Sequence, residues 1–201
     1  MQKILLPTTN RLETYKKKKK IDLIKNMENN KIYLGIDPGG KGFITAIING
    51  EYEFYSISNL NALEINKVLA SLKGRGNVVA IMEEVHALHQ SAAKATFSFG
   101  EIFGLLKGLL IANTIPYHLI PPKTWQKEIW ANPDMVVAYK QVVVKGKATT
   151  RKEVNTKATS LNAALRLFPN VDFRKTVRCK KPDDNKVDSL LIAEYGRRKN
   201  L

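Results

Sequence analysis

Across 201 residues the chain carries one cysteine, three histidines and 18 acidic residues against 33 basic ones. A lone Cys179 excludes an internal disulfide. With an N-terminus that has no apolar signal core, it leads us to expect an intracellular, reducing compartment. His86, His89 and His118 come with no cysteine pair and no HExxH spacing, so no zinc set is expected and ordinary surface or packing roles are assigned to all three. Long apolar runs are missing too. The best segment, "GLLKGLLIANTI" (104–115), is interrupted by Lys107 and is far shorter than a bilayer span, so no transmembrane helix and no membrane partner are expected. No internal repeat is visible, and the length suits one sizeable domain rather than two.

What the chain does have is positive charge. A formal net charge of +15 favours a polyanionic partner, nucleic acid ahead of an anionic membrane surface, and 44% hydrophobic residues suffice for a core. Residues 1–30 read as a basic, disordered tail with a short helical piece around Ile21 to Met27. Its Lys16 to Lys20 run fits a solvated charge run, a nuclear address or a nucleic-acid arm. Setting the tail aside leaves residues 31–201 still basic, so the folded part should present a positive face.

From Lys31 the pattern turns to strands. "KIYLGI", "GFITAII" and "EYEFYSI" are rich in Ile, Tyr, Phe and Thr and are separated by turns, which predicts a three-stranded meander. "NALEINKVLASLKG" has helical spacing and stops at Gly74, and "NVVAIMEEV" is a continuous apolar run suited to a central strand. A long helix over "SAAKATFSFGEIFGLLKGLLIANT", a fifth strand at "IPYHLI" and a short helix around Trp125 to Trp130 follow. The basic segment up to Thr150 reads as irregular. A helix near Lys152 to Phe168, the basic stretch "FRKTVRCKK" and a last helix from about Asp183 to Arg198 complete the order. Hairpin strands followed by alternating helix and strand predict an α/β domain with a mixed sheet.

The acids fall at particular places in that order. Asp37 ends the first strand before Pro38-Gly39-Gly40, Glu83 and Glu84 end the fourth, and Asp183, Asp184 and Asp188 open the last helix. Asp184 and Asp188 are four apart and share one helix face. Singly, each has an ordinary explanation as turn residue, N-cap or solvated pair. Together, strand-end and helical carboxylates can converge at a sheet edge, where all-oxygen ligands suit Mg²⁺ or another hard divalent cation. Two such ions activate water on one side of a phosphodiester and stabilise the leaving oxygen on the other.

The segments "YLGIDPGGKGFITAI", "AIMEEVHALHQSAAKATFSFGEIFGLLKGLL", "IPYHLIPPKTWQK", "TKATSLNAALRLFP" and "KPDDNKVDSLLIAEYGRR" resemble the RuvC-like Holliday junction resolvases, in particular the phage-type branch. That family belongs to the ribonuclease H-like superfamily, and the resemblance spans roughly residues 31–198. It implies a ribonuclease H-like fold, with a five-stranded mixed sheet and helices on both faces. It implies a homodimeric endonuclease, dependent on Mg²⁺ or Mn²⁺ with two ions per site, that nicks four-way DNA junctions symmetrically. The family's acids fall on Asp37, Glu83, Asp184 and Asp188. The chain departs from the pattern in that the helical acids of cellular resolvases are commonly three apart, whereas here Asn185 stands at that position and Asp184 is four before Asp188, and in that the lysine-rich tail and residues 131–150 have no counterpart in the family. Lys157 falls on a basic position of the family, where it contacts the scissile phosphate or is simply an exposed lysine.

Other residues have two readings each. Phe97 and Phe99 stack on bases at an opened junction or belong to the core of an amphipathic helix. Gly100, Gly104 and Gly108 line one helix face, suited to a dimer seam or to an intramolecular crossing. Arg174, Lys175, Arg178, Lys180 and Lys181 precede the last helix and are placed to follow DNA phosphates. Two other functions compete with a nuclease. One is a junction-binding architectural protein without the chemistry; the other is an actin-like sugar kinase or ATPase, since "GIDPGGKG" looks like a phosphate loop. The second lobe such a kinase needs has no room here.

Overall fold

The computed structural model describes residues 15–18, 30–84, 93–144 and 147–201, and the side chains of 143–147 lie outside that description. Most of the tail, Lys19 and Lys20, the helical piece at 21–27, and His86 and His89 therefore fall outside the described residues. Tyr15 to Lys18 form one helical turn.

Five strands make one mixed sheet in the order β3-β2-β1-β4-β5. They are β1 (Lys31–Asp37), β2 (Phe43–Ile48), β3 (Glu51–Ser56), β4 (Asn77–Glu83) and β5 (Tyr117–Ile120). β2 runs antiparallel to β1 and β3, while β4 runs parallel to β1 and β5. The five strands and their order of appearance are those expected from the sequence. β1 and β4 sit at the centre with every interior residue buried, which is why both read as unbroken apolar runs.

Strand parity divides the interior in two. Ile32, Leu34, Ile36, Ala80 and Met82 face a core closed by α1 (Ala62–Lys73) and α2 (Ala93–Ala112). Tyr33, Val79 and Ile81 face a second core closed by α3 (Pro122–Ile129), α4 (Thr156–Leu167) and α5 (Asp184–Lys199). The result is helices on both faces of a mixed sheet, as the fold class requires. α1 starts with a capping box in which Asn61 accepts from the Glu64 amide and Glu64 accepts from the Asn61 amide.

The helix placed near Lys152 to Phe168 begins later, at Thr156, because Asn155 caps it by accepting from the Ala158 amide. The described residues of the segment read as irregular up to Thr150 are ordered. A 3₁₀ turn at Asn132–Asp134 leads into an antiparallel ribbon of β6 (Val137–Val144) and β7 (Lys147–Val154), separate from the main sheet.

α2 is the long helix expected over this stretch, 20 residues from Ala93 to Ala112, and most of the apolar segment 104–115 forms its second half. Among the described residues it is the one helix long and apolar enough, by length and composition, to cross a membrane. Leu106 and Leu110 of this helix are fully buried in the first core. Gly100, Gly104 and Gly108 have no atom within 4 Å of where a Cβ would stand, so among the described residues no helix crosses over them.

Candidate active site

The site is built where the sheet meets α5. Ile36 pairs with Met82, so the next residues, Asp37 and Glu83, end adjacent parallel strands side by side. Both share the parity of Ile81, and so lie on the face that α5 covers. Glu84 has the opposite parity, and its amide donates to the Ile120 carbonyl at 2.9 Å. The fold therefore separates the two glutamates that strand alternation alone leaves equivalent, and it favours Glu83.

α5 reaches these strand ends because β1 has no side chain beneath it at Gly35. A Cβ there would stand 2.0 Å from the Ser189 carbonyl oxygen and 2.3 Å from the Ala193 nitrogen. Ser189 also shares a buried hydrogen bond of 2.6 Å with Thr45 of β2. With Ser189 seated over β1, its neighbour Asp188 is carried toward Asp37. Asp183 is the N-cap of α5 and accepts from the amides of Asn185 and Lys186, an ordinary helix-start role.

The electrostatics record the convergence. The Asp37 carboxyl is held well above the usual carboxylate range by burial first, then by the negative charges of Asp188, Glu83 and Asp183. Asp188 is raised to about 7, mainly by burial, with Glu83 and Asp184 adding to the rise while a Ser160 hydrogen bond and Lys157 oppose it. Glu83 is raised by burial, opposed by a hydrogen bond from Trp125. Trp125 is fully buried, and its Nε1 donates to Glu83 Oε1 at 3.0 Å. One carboxylate oxygen, Asp188 Oδ1, is buried with no hydrogen-bond partner among the described residues.

An unpartnered buried carboxylate oxygen on a residue that interacts electrostatically with Asp37 and Glu83 suits a hard cation, and the donor set is all oxygen. As the side chains stand, no group of three or more His, Cys, Asp or Glu among the described residues is drawn together closely enough to hold a metal ion.

The other residues singled out by sequence are distributed as follows. Asp184 is paired with Lys157 at 2.8 Å, both side chains being exposed, and this contact raises the Lys157 ammonium. Phe97 is 74% exposed and lies outside the core, whereas Phe99 stacks on Phe103 with ring centroids 6.0 Å apart. Arg174 is engaged by Asp172, whose carboxyl it lowers to about 2, and Lys175 donates to Ser58. Arg178, Lys180 and Lys181 are exposed, and His118 lies on β5. Trp125, Ser160 and Gly35 escaped the sequence reading. Only Gly35 carried a signal, since a glycine inside an apolar strand marks a close backbone approach.

No family model and no curated protein matches the chain. Two solved structures from Thermus thermophilus are similar to it. One, RuvC in complex with Holliday junction substrate, aligns over 84% of this chain and 94% of that chain, at 13% identity and a TM-score of 0.49. The other, a RuvC structure, covers 84% of this chain and 96% of that one, at 12% identity and a TM-score of 0.45. Both are likenesses of chain path, and no residue's role is carried over from them.

Proposed function

We propose that this chain is a divalent-metal-dependent endonuclease acting on branched DNA, with the four-way junction as its substrate. The observation that carries this reading is the carboxylate group at the sheet end: Asp37 and Glu83 from adjacent strands and Asp188 from α5, with Asp188 Oδ1 buried and unpartnered. The junction as substrate rests on the sequence resemblance, and the polyanionic partner on the net charge of +15.

Asp37, Glu83 and Asp188 would hold Mg²⁺ or Mn²⁺, with Asp184 joining once Lys157 leaves it. Metal at this site supplies water activation and charge stabilisation for phosphodiester hydrolysis. The chain's own contributions can be stated separately. Trp125 fixes the rotamer of Glu83, Ser160 orients Asp188, and Gly35 sets the depth of α5. Lys157 sits 2.8 Å from Asp184 on the exposed rim, where a phosphate can draw it away as a point charge. Phe97, exposed at the start of α2, presents a ring for stacking on an unpaired base. The open glycine face of α2 suits a two-fold partner copy, which would put two such sites on one junction.

A second reading keeps the DNA and drops the chemistry. It is favoured by the Lys157–Asp184 pair and by the absence, among the described residues, of three acids drawn together closely enough to hold a metal ion. A panel of synthetic substrates (four-way junction, flap, linear duplex and RNA–DNA hybrid) with Mg²⁺ or EDTA separates the two. Metal-dependent nicking of the junction supports the enzyme; tight junction binding with no nicking in Mg²⁺ or Mn²⁺ supports the architectural protein.

A further inference from the structure

The β6–β7 ribbon has a rigid root and an exposed arm. At the root, Asp134 is 2% exposed and is gripped by Arg166 of α4 through Nη2 at 2.6 Å and Nε at 2.8 Å. The Ala131 amide donates to the same carboxylate, and Arg166 Nη2 also donates to the Ile129 carbonyl. The Val136 amide donates to Thr159 Oγ1, and the Asn155 amide to the Val136 carbonyl. The ribbon is thus fixed to α4, the helix whose first turn carries Lys157 and whose Ser160 orients Asp188.

Beyond the root the strands pair with each other, in a register that sets Ala138 against Glu153 and Lys140 against Arg151 on one face. Tyr139 against Lys152 and Gln141 against Thr150 occupy the other face. Lys140, Arg151, Lys152 and Tyr139 are all exposed. Eight residues per strand reach roughly 27 Å at about 3.4 Å per residue. An isolated two-stranded ribbon is marginal in water, so this one is held by its root and gains no core of its own.

Composition and direction then choose the occupant. Residues 137–154 contain five basic residues (Lys140, Lys145, Lys147, Arg151, Lys152) and one acid, Glu153. The face with Ala138, Lys140 and Glu153 turns toward a cleft of about 340 Å³ that is also lined by Thr156 and Lys157. Lys157, Lys140 and Arg151 follow one another outward on this side, Lys157 paired with Asp184 and Lys140 with Glu153, which leaves Arg151 as the cation of the face with no acid of its own in the ribbon's cross-strand pairs. Lys140 is paired with Glu153, which holds its side chain along the ribbon.

We propose that the ribbon is a DNA arm clamp: its Lys140–Arg151 face lies on the phosphate backbone of the duplex leading into the carboxylate site. The fit is one of charge and shape, since duplex DNA presents a phosphate charge about every 1.7 Å of its axis and its grooves accept a two-stranded ribbon. The proposal rests on the nuclease reading for its substrate and extends it by naming the surface that holds one arm.

The test uses the full chain and a fluorescent four-way junction in Ca²⁺, titrated across a range of salt. Three proteins are compared: wild type, Lys140→Ala/Arg151→Ala, and Lys67→Ala/Lys73→Ala, which removes the same charge from α1 on the opposite face of the sheet. Thermal melting of each establishes that the fold is intact. The ribbon variant is expected to bind about 10-fold more weakly and to lower the slope of log K against log salt by roughly 2, with the α1 variant close to wild type. A ribbon variant equal to wild type in affinity and slope would overturn the clamp while leaving the nuclease reading standing. An α1 variant that loses as much reduces the effect to net charge and overturns it as well. A wild type that binds no junction overturns both readings together.

Discussion

Helices α2 and α5 lie on opposite faces of one sheet, both contain glycine, and they use it in opposite ways. Under α5, Gly35 leaves no space for a Cβ, and Gly196 of α5 itself would place one 2.2 Å from Ile81 Cδ1. On α2, Gly100, Gly104 and Gly108 open onto nothing, and Phe97 and Ile111 are exposed at 74% and 65%. α5 is sealed almost all round, from Val187 to Gly196. A sealed helix can hold a carboxylate in a fixed place against a strand end. An open apolar helix holds nothing by itself, and its geometry makes sense when a second surface covers it.

The largest effect expected on the sealed side is chemical. On the proposed function, Asp188→Asn and Asp37→Asn should each lower junction cleavage by about 10³-fold or more while junction binding in Ca²⁺ stays within about threefold, because each removes a charge from the proposed metal site and nearly keeps its shape. Cleavage surviving either change would break the assignment of the site. The same substitutions should stabilise the metal-free fold at high pH. Asp188 holds its proton in the folded state up to about 7, against an ordinary value of 3.8, so the folded protein binds the extra proton between these values. Wild type is therefore most stable, as far as this group is concerned, below about pH 4, and loses that contribution as pH rises through 7. Asp188→Asn does not titrate. In EDTA at pH 8 it should melt several degrees above wild type, since about 1 kcal/mol moves the melting point of a chain this size by roughly 2–4 °C. At pH 4 the gap should close.

Gly35→Ala comes next. A Cβ 2.0 Å from a backbone oxygen cannot be relieved by a rotamer change, so α5 must lift off β1. The expected loss is about 3 kcal/mol, at the upper end of overpacking costs, and activity should fall with it as Asp188 moves from Asp37. A melting curve and a cleavage assay on the same preparation read both. A variant with wild-type melting and activity would show that α5 does not rest on this glycine.

The glutamates test the sheet register more finely. Glu83→Gln should lower cleavage by about 10²-fold or more, and Glu84→Gln by less than about twofold, because the strand turns only the first toward α5. The reverse outcome would mean that the parity assigned to the end of β4 is wrong. Trp125→Phe keeps most of the buried ring and removes the hydrogen bond to Glu83 Oε1. It should lower kcat about 10-fold with little change in junction affinity.

How much of this was legible beforehand follows burial. The five strands and the helices over the sheet were readable because each has one or two buried faces, which impose a period or an unbroken apolar run. The ribbon was not, because both of its faces are wet and its sequence alternates nothing. The acids were readable as ends of elements. What joins them was not: Trp125 reads as a core aromatic until Glu83 stands beside it, and Ser160 as one polar residue among several in α4. The glutamate pair shows the limit most plainly, since strand alternation separates Glu83 from Glu84 but the side of the sheet that α5 takes is decided by Gly35, 48 residues away.

The smallest expected effect lies on the open side, and it is informative because two readouts should move in opposite directions. Glycine inside an exposed helix costs about 0.5–1 kcal/mol relative to alanine. Gly104 has no neighbour for a new Cβ to strike. Gly104→Ala should therefore raise the melting point of the isolated chain by roughly 1–4 °C at low concentration. If α2 of a second copy packs across these glycines, the same methyl group intrudes where the two backbones approach, and sedimentation at higher concentration should show self-association weakened several-fold. A variant that is stabilised with self-association unchanged leaves the glycine face outside any seam. A variant that is destabilised as a monomer means that something already covers α2, and the contrast between the two helices fails.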